Sequence, residues 1–127
     1  MEVDTPRSSS FEPFVLKEKI GDMMKYGYPL TMQFSRKNRE LADQMRICML
    51  TLYRKAVEIE KKYYKKTTTQ ELDVELDVLR HLVRIAADKD FCGQKYAPPL
   101  TAQQYKVWAE KNDEIGRIIG GYIKSLR

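Results

Sequence analysis

Apolar residues recur at intervals of three and four positions along four stretches of the chain, the spacing that places side chains on one face of an α-helix. The predicted helices span about residues 14–33, 38–65 and 70–89, and then from Thr101 as N-cap to about Leu126. Four amphipathic helices with mostly short connections bury their apolar faces most simply against one another. We therefore predict an all-α fold, an antiparallel up-and-down four-helix bundle. The core-facing residues predicted from this spacing are Leu16, Ile20, Met23, Met24 and Tyr28 on the first helix, Leu41, Met45, Cys48, Leu52, Ala56, Ile59 and Tyr63 on the second, Leu72, Leu76, Leu79, Val83 and Ala86 on the third, and Tyr105, Trp108, Asn112, Ile115, Ile119 and Tyr122 on the fourth.

Helix-breaking residues set the predicted boundaries. Gly27 and Pro29 interrupt the first helix, and proline removes a backbone donor, so a break or kink is expected near residues 26–28. Threonines at 67–69 are weak helix formers and good N-caps, so they are expected to end the second helix and cap the third. Glycine and two prolines within residues 93–99 predict the last loop.

The length of 127 residues fits one domain, with residues 1–10 as a flexible tail and residues 11–127 as the bundle. No run of about 18 apolar residues is present, and the first residues lack the pattern of a secretory signal. We therefore expect a cytoplasmic protein without membrane contact. Cys48 and Cys92 have no metal-binding or redox spacing and are expected to be reduced thiols.

The second and third helices carry more apolar surface than one bundle core needs. Subunit contacts in a homo-oligomer would cover this surplus, although a broad core covered by the first helix and the long loop is the alternative. The surplus residues are Leu50, Tyr53, Val57, Val74, Val78, Leu82 and Ile85.

Positive charge is concentrated in one part of the chain. The net charge is +5, yet residues 36–66 hold ten Lys and Arg against four Asp and Glu. Arg54, Lys61 and Lys65 are predicted to share one face of the second helix, which suggests a binding surface for phosphates. Within residues 61–66, four lysines flank Tyr63 and Tyr64, a combination that suits single-stranded RNA. The alternative is that Tyr63 lies in the core and the lysines simply favour a helix C-terminus.

Residues suited to catalysis are few. His81, the one histidine, has Asp77 four residues before it, but a di-iron bundle needs further inward glutamates and histidines that this sequence lacks. The acidic residues Glu71, Asp73, Glu75 and Asp77 are expected to favour the N-terminal turns of the third helix through its dipole. We therefore expect no enzymatic activity, no metal and no cofactor.

Glycines on the fourth helix form a G-x-x-x-G pattern at Gly116 and Gly120, followed by Gly121. Each costs the helix up to about 1 kcal/mol relative to alanine. Close approach of another backbone is the expected compensation.

Two segments resemble the accessory variability protein (Avd) of diversity-generating retroelements. They are K-T-T-T-Q-E-L-D-V-E-L-D-V-L-R at 66–80 and N-D-E-I-G-R-I-I-G-G-Y-I-K-S at 112–125. The similarity extends over about residues 21–126 and includes an L-R-x-L-x-R-x-A pattern from Leu79 to Ala86. More distantly, the family includes four-helix bundle proteins encoded by insertions in ribosomal RNA genes.

The resemblance implies a bundle that assembles into a basic, ring-shaped homopentamer and binds a reverse transcriptase and its template RNA, with DNA as a further option. In that role the protein would support mutagenic cDNA synthesis without performing chemistry. By position, Arg80 and Arg84 match the paired arginines of the family's third helix and are the candidate partner contacts. Arg54, Lys61 and Lys65 match only the family's general basicity. The competing hypothesis is a structural or protein-only bundle of the ribosomal RNA insertion type.

Overall fold

The computed structural model describes residues 4–93 and 95–126, with side chains from residue 13 onward. Its long helices are α1 (Asp4–Met32), α2 (Arg39–Lys61), α3 (Lys66–Ala86) and α5 (Ala102–Ser125). A 3₁₀ turn (Arg36–Asn38) precedes α2, and a short helix α4 (Lys89–Cys92) lies in the last connection. No strand occurs in the described ranges, so the predicted all-helical fold with four long helices is confirmed.

The four long helices pack in a closed cycle around one core. α2 contacts α1 and α3, and α5 contacts the other sides of α1 and α3. Trp108 and Tyr122 of α5 are the largest fully buried side chains. Most of the predicted core-facing residues are buried, while Met24, Tyr28, Leu41 and Tyr105 lie partly buried at its edge.

The expected break in the first helix does not occur. α1 continues past Gly27 and Pro29 to Met32. Pro29 stands only three residues before the end of the helix, so the one backbone hydrogen bond that it removes, to the carbonyl four residues earlier, lies near the helix end. The start of α1 at Asp4 also overlaps the expected tail; residues 1–3 lie outside the described residues, and the division between tail and bundle stays a prediction.

The boundary between the second and third helices lies earlier than predicted. α2 ends at Lys61 and α3 begins at Lys66, so the threonines at 67–69 form the first turn of α3 instead of the connection. Thr68 and Thr69 are buried there. Their hydroxyls are satisfied locally, because Thr69 Oγ1 donates to the Lys65 carbonyl at 2.7 Å and Lys62 Nζ donates to Thr68 Oγ1 at 2.9 Å. These bonds remove the usual penalty of burying threonine.

The earlier start of α3 also overturns the interpretation of its acidic residues. No acidic residue lies in the first turn, so the helix dipole does not explain them. Glu71 instead forms an ion pair with Lys55 of α2 at 3.2 Å, and Asp77 lies one turn from His81. Glu71 and Asp77 therefore interact with neighbouring side chains and not with the helix N-terminus.

α5 begins as predicted. Thr101 Oγ1 accepts from the Gln104 amide at 3.1 Å, and Gln104 Oε1 accepts from the Thr101 amide at 3.0 Å. This reciprocal capping box satisfies two amides that a helix N-terminus otherwise leaves without partners. No helix in the described part of the chain is long and apolar enough to cross a bilayer.

Candidate nucleic-acid and partner interface

Arg80 extends from α3 across to α5. Its Nη2 donates to the Asn112 carbonyl at 3.4 Å and lies 3.4 Å from Asp113 Oδ1. Gly116 makes room for the guanidinium, because a Cβ at that position would lie 3.3 Å from Arg80 Cζ and closer still to Nη2. Arg80 therefore links two helices, and its side chain is only 40% exposed.

Arg84 lies one turn further along α3 and is exposed. No ion pair involves it within the described residues. Between these two arginines a cavity of about 190 Å³ opens toward α5, with Tyr105 and Asn112 on its opposite wall. The predicted arginine pair is thus brought together at one cleft, but with different roles: Arg80 is held by α5 and Arg84 is available to contact a partner.

The approach of another backbone that was predicted at the glycine pattern of α5 is not found within this chain, although one of the glycines is closely packed. At Gly116 the neighbour is the Arg80 side chain and not another backbone. At Gly120 and Gly121 an added Cβ would meet no atom within 4 Å. Close packing within this chain therefore explains one of the three glycines.

The basic face predicted for the second helix does not exist as such. Arg54 and Lys61 belong to α2, but Lys65 lies beyond its end and forms the N-cap position of α3. Arg54 Nε also lies 3.8 Å from Glu58 Oε2, although its side chain is 83% exposed. The shared face required α2 to continue through Lys65, and the chain turns four residues earlier.

The turn between α2 and α3 presents two aromatic rings to solvent. Tyr63 is 88% exposed and Tyr64 is 84% exposed, so the predicted core position of Tyr63 is wrong. Their ring centroids lie 4.9 Å apart at an interplanar angle of 84°. Lys61, Lys62 and Lys66 beside them are exposed and Lys65 is partly so. We call residues 61–66 the Lys-Tyr turn; it places π-faces and cations together at one end of the bundle.

The surplus apolar residues are mostly uncovered. On α2, Leu50 is 51% exposed and Tyr53 is 38% exposed, and Val57 is exposed to about the same extent as Tyr53. On α3, Val74 is 64% exposed and Val78 is 44% exposed. Leu82 and Ile85 are partly buried, and Leu82 packs against the core. Five of the seven predicted interface residues thus lie on the surface of a single subunit, while Leu82 contributes to the subunit's own core.

His81 forms a local contact. Its Nδ1 lies 2.8 Å from the Asp77 carbonyl oxygen and 3.8 Å from Asp77 Oδ2 on the same helix. Among the described residues, no group of three or more His, Cys, Asp and Glu side chains is arranged to hold a metal ion.

Comparison with known families adds evidence that the geometry alone does not supply. The model of the bAvd-like family matches residues 14–126, nearly the whole chain. The chain belongs to the bAvd-like family. This membership confirms the resemblance to accessory variability proteins that residues 66–80 and 112–125 suggested. A search of curated proteins finds no match.

One basic cluster of this bAvd-like chain was not predicted from sequence. Arg36, Arg39 and Arg46 line a pocket of about 290 Å³ where α1 passes into α2. The sequence feature that could have indicated this cluster is the run Arg36-Lys37-Asn38-Arg39. It lies next to a predicted helix start, where acidic residues are preferred. This signal is weaker than that of residues 61–66, because no aromatic residue accompanies the charges within the run.

Proposed function

We propose that this protein is a non-enzymatic, cytoplasmic accessory factor of a diversity-generating retroelement. In this role it binds the element's reverse transcriptase and its template RNA and thereby supports mutagenic cDNA synthesis. Membership of the bAvd-like family supports the accessory role. The observation that carries RNA binding is the exposed Tyr63–Tyr64 pair among lysines.

The Lys-Tyr turn has the chemistry that single-stranded nucleic acid requires. A base that stacks on an exposed aromatic ring gains about 1–3 kcal/mol, and each lysine that neutralises a phosphate releases a condensed counterion. Lys62 is already engaged with Thr68 and Glu58, so Lys61, Lys65 and Lys66 are the cations available to a ligand. Because stacking tolerates every base, this surface favours affinity over sequence preference.

Reverse transcriptase binding is assigned to the cleft between α3 and α5. Arg84 there has no carboxylate partner within the described residues, whereas Arg80 is already bound to α5. Arginine presents a planar, permanently charged donor fork, which suits a carboxylate or phosphate of a partner. Arg84 is therefore the direct contact in this proposal, and Arg80 shapes the cleft beside it.

A ring of identical subunits, most simply the homopentamer that the family resemblance implies, covers the apolar surface. The exposed residues of α2 and α3 lie on different helices. Two different surfaces on one subunit allow a head-to-tail contact, and such contacts close into a ring when the rotation between subunits permits. A ring would also repeat the Lys-Tyr turn several times, which raises the affinity for a long RNA through multivalency.

RNA binding is tested with the full-length protein, a fluorescently labelled single-stranded RNA and the variant Tyr63→Ala/Tyr64→Ala. Loss of one stacked base predicts an affinity lower by about tenfold or more. Phe91→Ala is the matched control, because Phe91 is an aromatic residue that is 68% exposed away from the turn. The wild-type affinity should also fall steeply as salt rises.

Two results would contradict this part of the proposal. One is an equal affinity of wild type and Tyr63→Ala/Tyr64→Ala for RNA. The other is an absence of RNA binding by the wild type at low salt. The second result would favour the protein-only bundle, whose binding to reverse transcriptase would then depend on Arg84 and not on the Lys-Tyr turn.

A further inference from the structure

A second basic site lies at the opposite end of α2 from the Lys-Tyr turn. The pocket of about 290 Å³ between the end of α1 and the start of α2 has three arginines and two hydroxyl residues in its wall and no carboxylate. α2 runs 23 residues from this pocket to the turn, a length on the order of 30 Å. We call this site the corner pocket; the residues that line it are Thr31, Met32, Phe34, Ser35, Arg36, Arg39, Ala42 and Arg46.

Arg46 forms a fixed wall of the corner pocket. Its Nη1 donates to Thr31 Oγ1 at 3.1 Å, and its other amino group pairs with Asp43. Thr31 is buried, and its own hydroxyl donates to the Tyr28 carbonyl at 2.6 Å. The Arg46 side chain, 21% exposed, is therefore oriented before any ligand arrives. Such preorganisation lowers the entropy lost when a ligand binds.

Arg36 and Arg39 form the exposed, charged rim of the pocket. Neither has an ion pair within the described residues. The nearby carboxylates are Asp43, which pairs with Arg46, and Glu40, which is exposed on the first turn of α2 and does not line the pocket. Among the described residues, two of the three arginine charges in the wall are thus left without a protein counter-charge.

The position of these charges is unfavourable unless an anion is bound. Arg39 is the first residue of α2 and Arg36 lies in the 3₁₀ turn just before it, where the helix dipole repels cations. Asn38 at the N-cap position makes no side-chain capping bond. A bound anion replaces this repulsion with attraction, because both the helix N-terminus and the arginines attract it.

We propose that the corner pocket binds a phosphate group, with Arg36 and Arg39 as its charged contacts and Arg46 as its fixed wall. Asp43 balances Arg46, so the two charges of Arg36 and Arg39 are left, which is more than one carboxylate ligand balances. The planar arginine fork also matches two phosphate oxygens at once. The phosphate comes from an RNA backbone, which rests on the proposed function, or from free inorganic phosphate. With the Lys-Tyr turn at the other end of α2, the RNA source gives one strand two contacts on each subunit.

The first experiment measures RNA affinity of the full-length protein across a salt series. Arg36→Gln/Arg39→Gln is compared with wild type and with Lys106→Gln/Arg117→Gln, which removes the same charge from two exposed positions on α5. The corner variant should bind about tenfold or more weakly, and its plot of log affinity against log salt should be shallower by about 0.7 for each phosphate that it no longer neutralises. The α5 variant should stay within about twofold of wild type. Equally weakened binding in the two variants, or unchanged binding in the corner variant, would overturn the pocket and leave the RNA function intact.

The second experiment uses inorganic phosphate with the protein alone. A ligand that binds only the folded state raises the unfolding midpoint. Phosphate should raise the midpoint of wild type above that in chloride of equal ionic strength, and this difference should shrink in Arg36→Gln/Arg39→Gln but not in the α5 variant. A shift without any RNA binding supports the pocket as a site for free phosphate while the proposed RNA function fails. An equal shift in all three proteins contradicts phosphate binding at the corner pocket.

Discussion

The sharpest test of the bundle core is Gly27→Ala. Gly27 is buried on α1 against the indole of Trp108, which is fully buried. A Cβ at this position would lie 2.5 Å from Trp108 Cε2 and 2.8 Å from Cη2. Ordinary carbon contacts are about 3.5–4.0 Å, so the ring or the helix must move by about 1 Å. A rigid indole inside a packed core cannot yield as a flexible side chain does.

The expected change in the free energy of unfolding combines two opposing contributions. Overpacking a core costs about 1–3 kcal/mol, and the upper end applies because the clash is with a ring. Alanine offsets about 1 kcal/mol of this through its higher helix propensity. We therefore expect Gly27→Ala to lower the free energy of unfolding by about 2 kcal/mol, which is a large part of a typical domain's stability.

Gly120→Ala is the matched control. Gly120 stands five residues before the last residue of α5, as Gly27 does in α1, but an added Cβ there meets nothing within 4 Å. Only the propensity term applies, so this variant should be more stable than wild type by about 1 kcal/mol. The two alanine variants should therefore differ from each other by about 3 kcal/mol, one on each side of wild type.

The assay is urea unfolding followed by far-ultraviolet circular dichroism at one protein concentration, since assembly would make stability concentration-dependent. Fluorescence is unsuitable, because the chain has one tryptophan and Gly27 contacts it. If Gly27→Ala were as stable as Gly120→Ala, the close packing of Trp108 on α1 would be refuted.

Four further predictions concern the surface and the thiols. Arg80→Gln should lower stability by about 1 kcal/mol because its bonds to α5 are removed, and Arg84→Gln by less than about 0.5 kcal/mol; calorimetry measures both. Arg84→Gln should nevertheless bind reverse transcriptase more weakly in a pull-down, and unchanged binding would argue against Arg84 as the contact. Burial raises the pKa of the Cys48 thiol, and partial burial together with the nearby Asp88 raises the pKa of the Cys92 thiol. Because Cys48 is the more enclosed of the two, iodoacetamide in mildly alkaline buffer should alkylate Cys92 well before Cys48. Equal alkylation rates of the two thiols in the native protein would be inconsistent with a buried Cys48. Val78→Glu places a charge on the exposed apolar surface of α3 and should reduce the assembled mass in sedimentation while circular dichroism stays unchanged; an unaltered mass would exclude this residue from a subunit contact.

The number of long helices and most of the core were predictable from the amino-acid sequence. Leu72, Leu76, Leu79 and Val83 of α3 were predicted from spacing alone, and all are buried. This succeeded because each long helix has one continuous apolar face, and burial of such a face dominates the free energy of folding. The cap at Thr101 was predictable for a local reason, since a capping box involves residues only three positions apart.

The end of the second helix and the need for Gly27 depend on contacts between residues that are distant in sequence. Apolar spacing continued from Ile59 to Tyr63, so sequence alone could not place the chain reversal after Lys61. That reversal puts both tyrosines in solvent and separates Lys65 from Arg54. Gly27 likewise suggested a break by sequence, and only the position of Trp108, 81 residues away in the chain, explains it as a packing requirement.

The availability of the surface charges was the least predictable feature of the candidate sites, because it also depends on contacts between residues that are distant in sequence. The number of arginines is known from sequence, but a charge is available to a partner only if no neighbouring group in the fold has engaged it. Arg80 is engaged by α5, whereas Arg36 and Arg39 have no ion pair among the described residues at the start of α2. Helical spacing depends on nearby residues, while ion pairing between helices depends on contacts that only the packed bundle creates.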